Sequence, residues 1–443
     1  MNYVIIGGVA AGMSAAMSIY RTDEQAHITI LEQGEIYSYG QCGLPYVISG
    51  RVDSVQELIA RQVDTFRNKY GMEARTRVEV TEIDEHKQTV IGFDHQAKEQ
   101  FTVSYDKLLI ATGAAPNVPK WSGVDLSGIH TLKTIPDTQA IMEDLENDSQ
   151  RMVIVGGGYI GLEVAENLVS LGKKVTLIQR GEQLAANFDQ DMAALAYDEA
   201  IAQGVEVILN ESVEALVGDR GRVEEVITDK GRYAADFVLL AIGVHPNTAF
   251  LKTSDIHLDA HGAIKVNDYM ETNMKNVYAA GDCATAYHRV KGKDDYIPLG
   301  TTANKQGSLA GLNMAGKRTP FKGIVGTAIF KFFDLSLGRT GLSEKEAQLC
   351  QIPYETQTYK GGHIANYYPG NKTMSIKLIY CKKNNQLLGG QAVGEAGVSK
   401  RIDVLATAIY NNMKASDLID LDLSYAPPFN SVRDPLQQMA RRI

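Results

Sequence analysis

A chain of 443 residues is too long for one ordinary core and suggests about three domains. Hydrophobic residues at 44% and charged residues at 22% are the proportions of a globular protein, which excludes a disordered chain. A formal charge of -9 speaks against nucleic acid as a partner, because phosphate binding needs clustered Lys and Arg, and no apolar run approaches the ~20 residues that cross a bilayer.

The first element is a strand, NYVIIGG, entered without the basic, apolar and small-residue series of a leader, so a cytoplasmic protein is expected. It runs into the turn GGVAAG, the helix GMSAAMSIYR and a second strand HITILE, which makes a βαβ unit. Gly7 permits the tight turn and Gly12 lets the helix pack on the strand. With Gly8 and Ala11 they line a helix N-terminus whose free N–H groups suit a pyrophosphate. Val9 stands where the usual fingerprint has its middle glycine. Glu32 follows Gly12 by roughly twenty residues, where a carboxylate holds a ribose hydroxyl. Next come Cys42 in SYGQCGLPY and a further strand-to-glycine turn, KLLIATGAAP, at Gly113.

The stretch RMVIVGGGYIGLEVAENL repeats the first unit with Gly156, Gly158 and Gly161 in full spacing, so two dinucleotides are expected. Its following strand, KKVTLIQR, ends in Gln179 and Arg180 instead of a carboxylate. An arginine suits a 2'-phosphate, so NADPH is expected ahead of NADH, with NADH possible. FVLLAIGV reads as a buried strand, and VYAAGDCA places Gly281 and Asp282 after another strand. The ATG and GD segments look like the second and third flavin-contacting motifs of the two-dinucleotide flavoprotein reductases, which implies FAD at the first unit, with Asp282 on the ribityl chain. The last segment opens with GIVGTAIFKFFD and LSLGRTG, which suit antiparallel strands, and carries an amphipathic helix in KRIDVLATAIYNNM. The expected fold is α/β, with two Rossmann-like dinucleotide-binding domains and a C-terminal α+β dimerisation domain. The FAD domain spans 1-115 and 245-322, the NAD(P)H domain 116-244, and the dimerisation domain 323-443.

The four cysteines, Cys42, Cys283, Cys350 and Cys381, show no CxxC or zinc-ligand spacing, so neither a disulfide framework nor a metal is expected. Along nearly its whole length the chain resembles the coenzyme A disulfide reductases, in a group that also holds NADH peroxidases, NADH oxidases and persulfide reductases. The group-level marks are GGVAAG, SYGQCGLPY, ATGAAP, GGGYIGLE and AAGDCA. In this family the cysteine at the position of Cys42 starts a helix beside the isoalloxazine ring, and a helix N-terminus lowers a thiol pKa. Relatives that pass electrons through an internal disulfide carry CxxxxC, whereas five positions either side of Cys42 stand Val47 and Tyr37. A lone thiol works through a mixed disulfide, a sulfenic acid or a persulfide.

Three features separate these outcomes. The peroxide-handling relatives carry histidine where this chain has Ala10, and HIANYYPGN and SYAPPFNSVRD resemble the tyrosine motifs of the coenzyme A disulfide reductases. The resemblance therefore implies reduction of coenzyme A disulfide, with Cys42, Tyr367 and Tyr425 catalytic, Tyr368 as a substitute for Tyr367, and His363 structural. The alternatives are a persulfide or polysulfide reductase, and an NADH oxidase or peroxidase using a Cys42 sulfenic acid. For the anionic coenzyme A, the resemblance points to Arg21 and Arg433, helped by Arg61, Arg67, Lys69 and Lys305. Ser14, Ser18, Ser38, Gln41 and Asn304 would contact the pantetheine. A homodimer with shared active sites is implied.

Overall fold

A computed structural model describes residues 1–146, 149–252 and 254–443. Strand Asn2–Ile6 is almost wholly buried. It lies at the centre of a five-stranded parallel sheet, between His27–Leu31 and Lys107–Ile110, with Glu73–Arg75 and Val277–Ala279 outside. A continuous apolar run is what a strand covered on both faces requires. The helices of this unit are α1 (Ala10–Thr22), α2 (Leu44–Ile48) and α3 (Val63–Tyr70).

The second unit repeats the plan. Strand Arg151–Val155 lies between Lys174–Gln179 and Phe237–Leu240, with Glu206–Leu209 and Ile129–His130 outside, again all parallel. Its helices are α4 (Ile135–Glu146), α5 (Tyr159–Ser170) and α6 (Gln190–Ala202). Each unit also carries a three-stranded antiparallel sheet, residues 78–104 in the first and 213–234 in the second. The chain passes between the units along a two-stranded ribbon, Ala114–Pro116 against Val244–Pro246.

After the second unit the chain returns to the first sheet and forms α7 (Gly300–Met314), which packs on α1. The two helix backbones are brought together by small residues. A Cβ on Gly307 would lie 2.1 Å from the Ala11 carbonyl oxygen, and one on Gly311 would lie 2.4 Å from that of Ala15.

The last domain is a five-stranded antiparallel sheet in the order 328–332, 335–341, 387–394, 373–381 and 354–362. With it go α8 (Glu344–Leu349), α9 (Val398–Tyr410) and α10 (Pro435–Ala440). Helix α9 buries Val398, Ile402, Leu405 and Ile409 on the sheet, the spacing of one helical face. The architecture is thus α/β with two Rossmann-like units and a C-terminal α+β domain. Among the described residues no helix is long and apolar enough to cross a membrane.

The α1–α7 contact sets a stability test. Gly307→Val should lower the unfolding temperature, with a loss of at least the roughly 1–3 kcal/mol typical of overpacking. Gly300→Ala, whose new Cβ meets nothing within 4 Å, should not. Scanning calorimetry of the two variants reads the difference.

Candidate active site

The first glycine turn has the backbone that its sequence demands. Gly7 adopts φ +108°, and a Cβ there would lie 2.2 Å from the Ala111 carbonyl oxygen; a Cβ on Gly12 would lie 1.9 Å from that of Gly7. Neither position tolerates a side chain. The Glu32 carboxylate sits at the rim, accepting the N–H of Gly8 at 2.6 Å and of Gly34 at 2.8 Å. No side chain caps the N-terminus of α1 or of α7. The Tyr296 hydroxyl is buried without a hydrogen-bond partner, and burial and then the Asp282 carboxylate push its phenol well above the ordinary tyrosine value. The glycine cradle, the rim carboxylate, the free helix ends and this orphaned hydroxyl beside Asp282 fit FAD.

The second turn is built the same way, with Gly156 at φ +109° and a would-be Gly161 Cβ 2.0 Å from the Gly156 carbonyl oxygen. Gly158 has open space, as close approach of a pyrophosphate requires. Gln179 takes the part of Glu32: its Oε1 accepts the Gly157 N–H at 3.0 Å. The rim is therefore neutral, and the exposed Arg180 beside it has no hydrogen bond or ion pair among the described residues. This arrangement fits a pyridine nucleotide.

Cys42 lies in the single turn Gln41–Gly43 ahead of the five-residue α2, and its residue is exposed. The expectation that a helix terminus lowers its thiol pKa is corrected here. Protein around the sulfur and the nearby Glu163 carboxylate raise the thiol, and Lys133 opposes them only in part. A five-residue helix whose first residue is Leu44 supplies too little dipole to reverse that. Glu163 is itself pushed up to about 7, chiefly by burial, while Tyr46 donates to its Oε1 at 3.2 Å. Lys133 pairs with Asp282 at 3.2 Å, and its carbonyl accepts from the Gln41 side chain at 3.2 Å. No disulfide joins the described cysteines, and Cys283 is fully buried, its thiol directed at the carbonyls of Ile110 and Ala280.

The sequence reading missed Glu163 and Lys133. Glu163 lies inside the quoted GGGYIGLE, where a carboxylate early in α5 was a readable signal. Lys133 sits in an unremarkable connection, and only folding brings it to Asp282.

In the last domain the Tyr367 and Tyr425 hydroxyls share a hydrogen bond at 3.4 Å, which raises the Tyr425 phenol, and both side chains are exposed. Tyr368 is exposed beside them, and His363 closes their loop by accepting the Lys372 N–H at 3.0 Å. Among the described residues no hydrogen bond or ion pair joins this pair to Cys42 within one chain.

Of the residues expected at the substrate, Ser14 and Asn304 meet at 2.8 Å across α1 and α7. Ser18 does not face outward: it is buried, with its hydroxyl 3.0 Å from that of Ser308, and serves the helix packing. Ser38 precedes the Cys42 turn and Gln41 is its first residue. Arg21 lines a cleft of about 410 Å³ with Tyr20 and Tyr70, and Lys69 lies over the Tyr70 ring. Arg67 is held by Asp64 and the Ala74 carbonyl. Arg61, Lys305 and Arg433 are exposed.

Residues 1–307 match the family described as pyridine nucleotide-disulphide oxidoreductase, and residues 327–435 match its dimerisation domain. An NAD(P)H sulfur oxidoreductase (CoA-dependent) of Pyrococcus abyssi is 40% identical, over 99% of this chain and 97% of its own. A coenzyme A disulfide reductase of Staphylococcus haemolyticus is 35% identical, over 97% of this chain and 96% of its own. Among solved structures, reduced Bacillus anthracis CoADR-RHD superposes with a TM-score of 0.96 at 34% identity, covering 100% of this chain and 79% of that one.

The charges around Cys42 predict opposite shifts in two variants. Glu163→Gln removes a negative neighbour, so the thiol pKa should fall; Lys133→Met removes a positive one, so it should rise. The pH dependence of Cys42 alkylation by iodoacetamide measures both.

Proposed function

Because the chain belongs to the pyridine nucleotide-disulphide oxidoreductases, a family of flavin enzymes that use NAD(P)H, we propose that it reduces coenzyme A disulfide to two molecules of coenzyme A through a mixed disulfide on Cys42. The observation that carries this reading is the thiol of Cys42, on an exposed residue but with protein around its sulfur, set against the second unit's Glu163 and the first unit's Asp282 without a resolving cysteine.

In this reading the Cys42 thiolate attacks one sulfur of the substrate, the sulfur–sulfur bond breaks, and the first coenzyme A leaves as a thiolate. The Tyr367–Tyr425 pair supplies that thiolate with a proton, and solvent refills the pair. Cys42 now holds the second coenzyme A. When bound, FAD supplies the two-electron relay by which NAD(P)H reduces this mixed disulfide, freeing the second thiolate and Cys42. The sum is NAD(P)H, one proton and one disulfide giving NAD(P)+ and two thiols. Lys133 favours the thiolate that attacks, while burial and then the Glu163 carboxylate oppose it.

Arg21 and Lys69, at and beside the cleft of the first unit, together with Arg433, would hold the phosphates of coenzyme A. Ala10 offers no polar partner to a peroxide, which argues against the oxidase and peroxidase alternatives. A second substrate of the same chemical class, the persulfide of coenzyme A, is favoured by relatives such as the Pyrococcus horikoshii coenzyme A polysulfide/persulfide reductase, 38% identical. Rates with coenzyme A disulfide, its persulfide, oxygen and peroxide should rank the two sulfur substrates first and vanish in Cys42→Ser. Fast peroxide turnover, or disulfide turnover in Cys42→Ser, would overturn the assignment.

The neutral rim at Gln179 and the unpaired Arg180 support NADPH ahead of NADH. Arg180→Glu should lower the NADPH to NADH ratio of kcat/KM by roughly tenfold, the worth of one charge-assisted contact. An unchanged ratio would remove Arg180 from that role.

The tyrosine pair, unconnected to Cys42 within one chain, supports a site shared across a homodimer. Inactive Cys42→Ser and Tyr425→Phe chains, assembled as a heterodimer, should then regain activity at one of the two sites. A heterodimer as inactive as both parents would refute sharing.

A further inference from the structure

The two tyrosines lie on separate segments. Tyr367 is in the loop between strands Tyr354–Gly362 and Thr373–Cys381, and Tyr425 is in the irregular chain before α10. Both segments converge on one side chain of α9, Arg401, which is 1% exposed. Its Nη2 donates to the His363 carbonyl at 2.8 Å, at the base of the Tyr367 loop. The same nitrogen donates to Asn430 Oδ1 at 2.9 Å, and Nε donates to Asp434 Oδ2 at 3.1 Å. The Asn430 amide in turn donates to the Ser424 carbonyl at 3.1 Å, one residue from Tyr425, while Asp434 caps α10 through the Leu436 N–H. Nη1 closes the set on the Gly397 carbonyl at 3.2 Å, and a Cβ on Gly397 would lie 2.5 Å from that nitrogen.

We infer that Arg401 is a positioning residue: one buried guanidinium ties the Tyr367 loop to the Tyr425 segment and so holds the two hydroxyls in contact. The inference rests on the assignment of these tyrosines as proton donors given above. The planar fork is what the task requires, because three acceptors on two segments must be met from fixed directions, and an ammonium on a flexible stem does not fix them. Burial strengthens the case. A charge with no access to water is held only where its partners are complete, so the Asp434 carboxylate and the two tyrosine segments are bound into a single arrangement.

Arg401→Lys keeps the charge and loses the fork, and Asn430→Ala frees only the Tyr425 segment. In the FAD-loaded dimer, both should lower kcat for coenzyme A disulfide by roughly 10- to 100-fold, the effect of misplacing a catalytic group by about 1 Å. Reduction of the flavin by NADPH, followed by rapid mixing, should keep its rate. Arg401→Lys combined with Tyr425→Phe should be scarcely worse than Tyr425→Phe alone, because the clamp acts through the tyrosines. A merely structural arginine would instead multiply the two losses or slow flavin reduction as well, and either result would overturn the inference. So would full kcat in both Arg401→Lys and Asn430→Ala. If Arg401→Lys does not fold, Asn430→Ala with its own Tyr425→Phe combination decides the matter. Full turnover in Tyr367→Phe and in Tyr425→Phe would instead defeat the tyrosine assignment itself.

Discussion

The carboxylate of Glu166, 1% exposed, is where the three parts of the chain are fastened together. It lies on α5 of the second unit and accepts from Arg51 of the first unit, from Lys331 of the last domain and from the Phe333 N–H at 2.9 Å. Burial alone would push its pKa up, but Lys331 and Arg51 hold it below the usual carboxylate range. Removing both cations would leave a buried charge uncompensated, a strongly destabilising change. Around it Leu44 and Ile48 of α2, Leu162 and Leu168 of α5, and Phe330 and Phe332 form one hydrophobic cluster. One turn earlier on α5 stands Glu163, and Ser49 at the end of α2 donates to Asn167 at 2.5 Å. The α2–α5 contact thus fixes the Cys42 turn of one unit against the Glu163 carboxylate of the other. A second tie is made by Lys377, 4% exposed, between Asp189 and Asp191 of the second unit and Glu344 of the last domain.

That placement explains the charge balance at the reactive sulfur. A neutral thiol is a poor nucleophile, and here burial and a neighbouring carboxylate keep it neutral in part. Two features answer this: the Lys133 ammonium, itself anchored on Asp282, and the rise of Glu163 to about 7, which lets that carboxyl shed its charge near neutral pH. As Glu163 takes up a proton the thiolate beside it becomes less unfavourable.

What could be read from the sequence followed from how strictly each feature is dictated locally. Gly7, Gly12, Gly156 and Gly161 were legible because each sits where a Cβ would fall within 2.3 Å of a backbone oxygen, so the spacing itself records the geometry. The contrast between Glu32 and Gln179 was legible for the same reason, since both end the strand next to a glycine turn and take its N–H. The electrostatics of Cys42 were not. Its partners Lys133 and Glu163 come from distant segments, and the local rule of a helix terminus favoured the opposite sign from the one the assembled site gives. Nor could the sequence pair Arg401 with Asn430, Asp434 and the His363 carbonyl, although it marked both tyrosine motifs, because the pairing exists only once α9 lies beneath both loops. Ser18 lies one helical turn beyond Ser14 on the same face of α1, and both hydroxyls meet α7, Ser14 at Asn304 and Ser18 at Ser308.

The central claim is that a single thiol carries coenzyme A. It is tested most directly by intact-mass and peptide-mass measurement of the FAD-loaded protein after incubation with coenzyme A disulfide and without NAD(P)H, then again after reduction. The account predicts one coenzyme A per chain, located on the peptide that bears Cys42 and lost on reduction. An unmodified Cys42, or an adduct confined to Cys350 or Cys381, would contradict it.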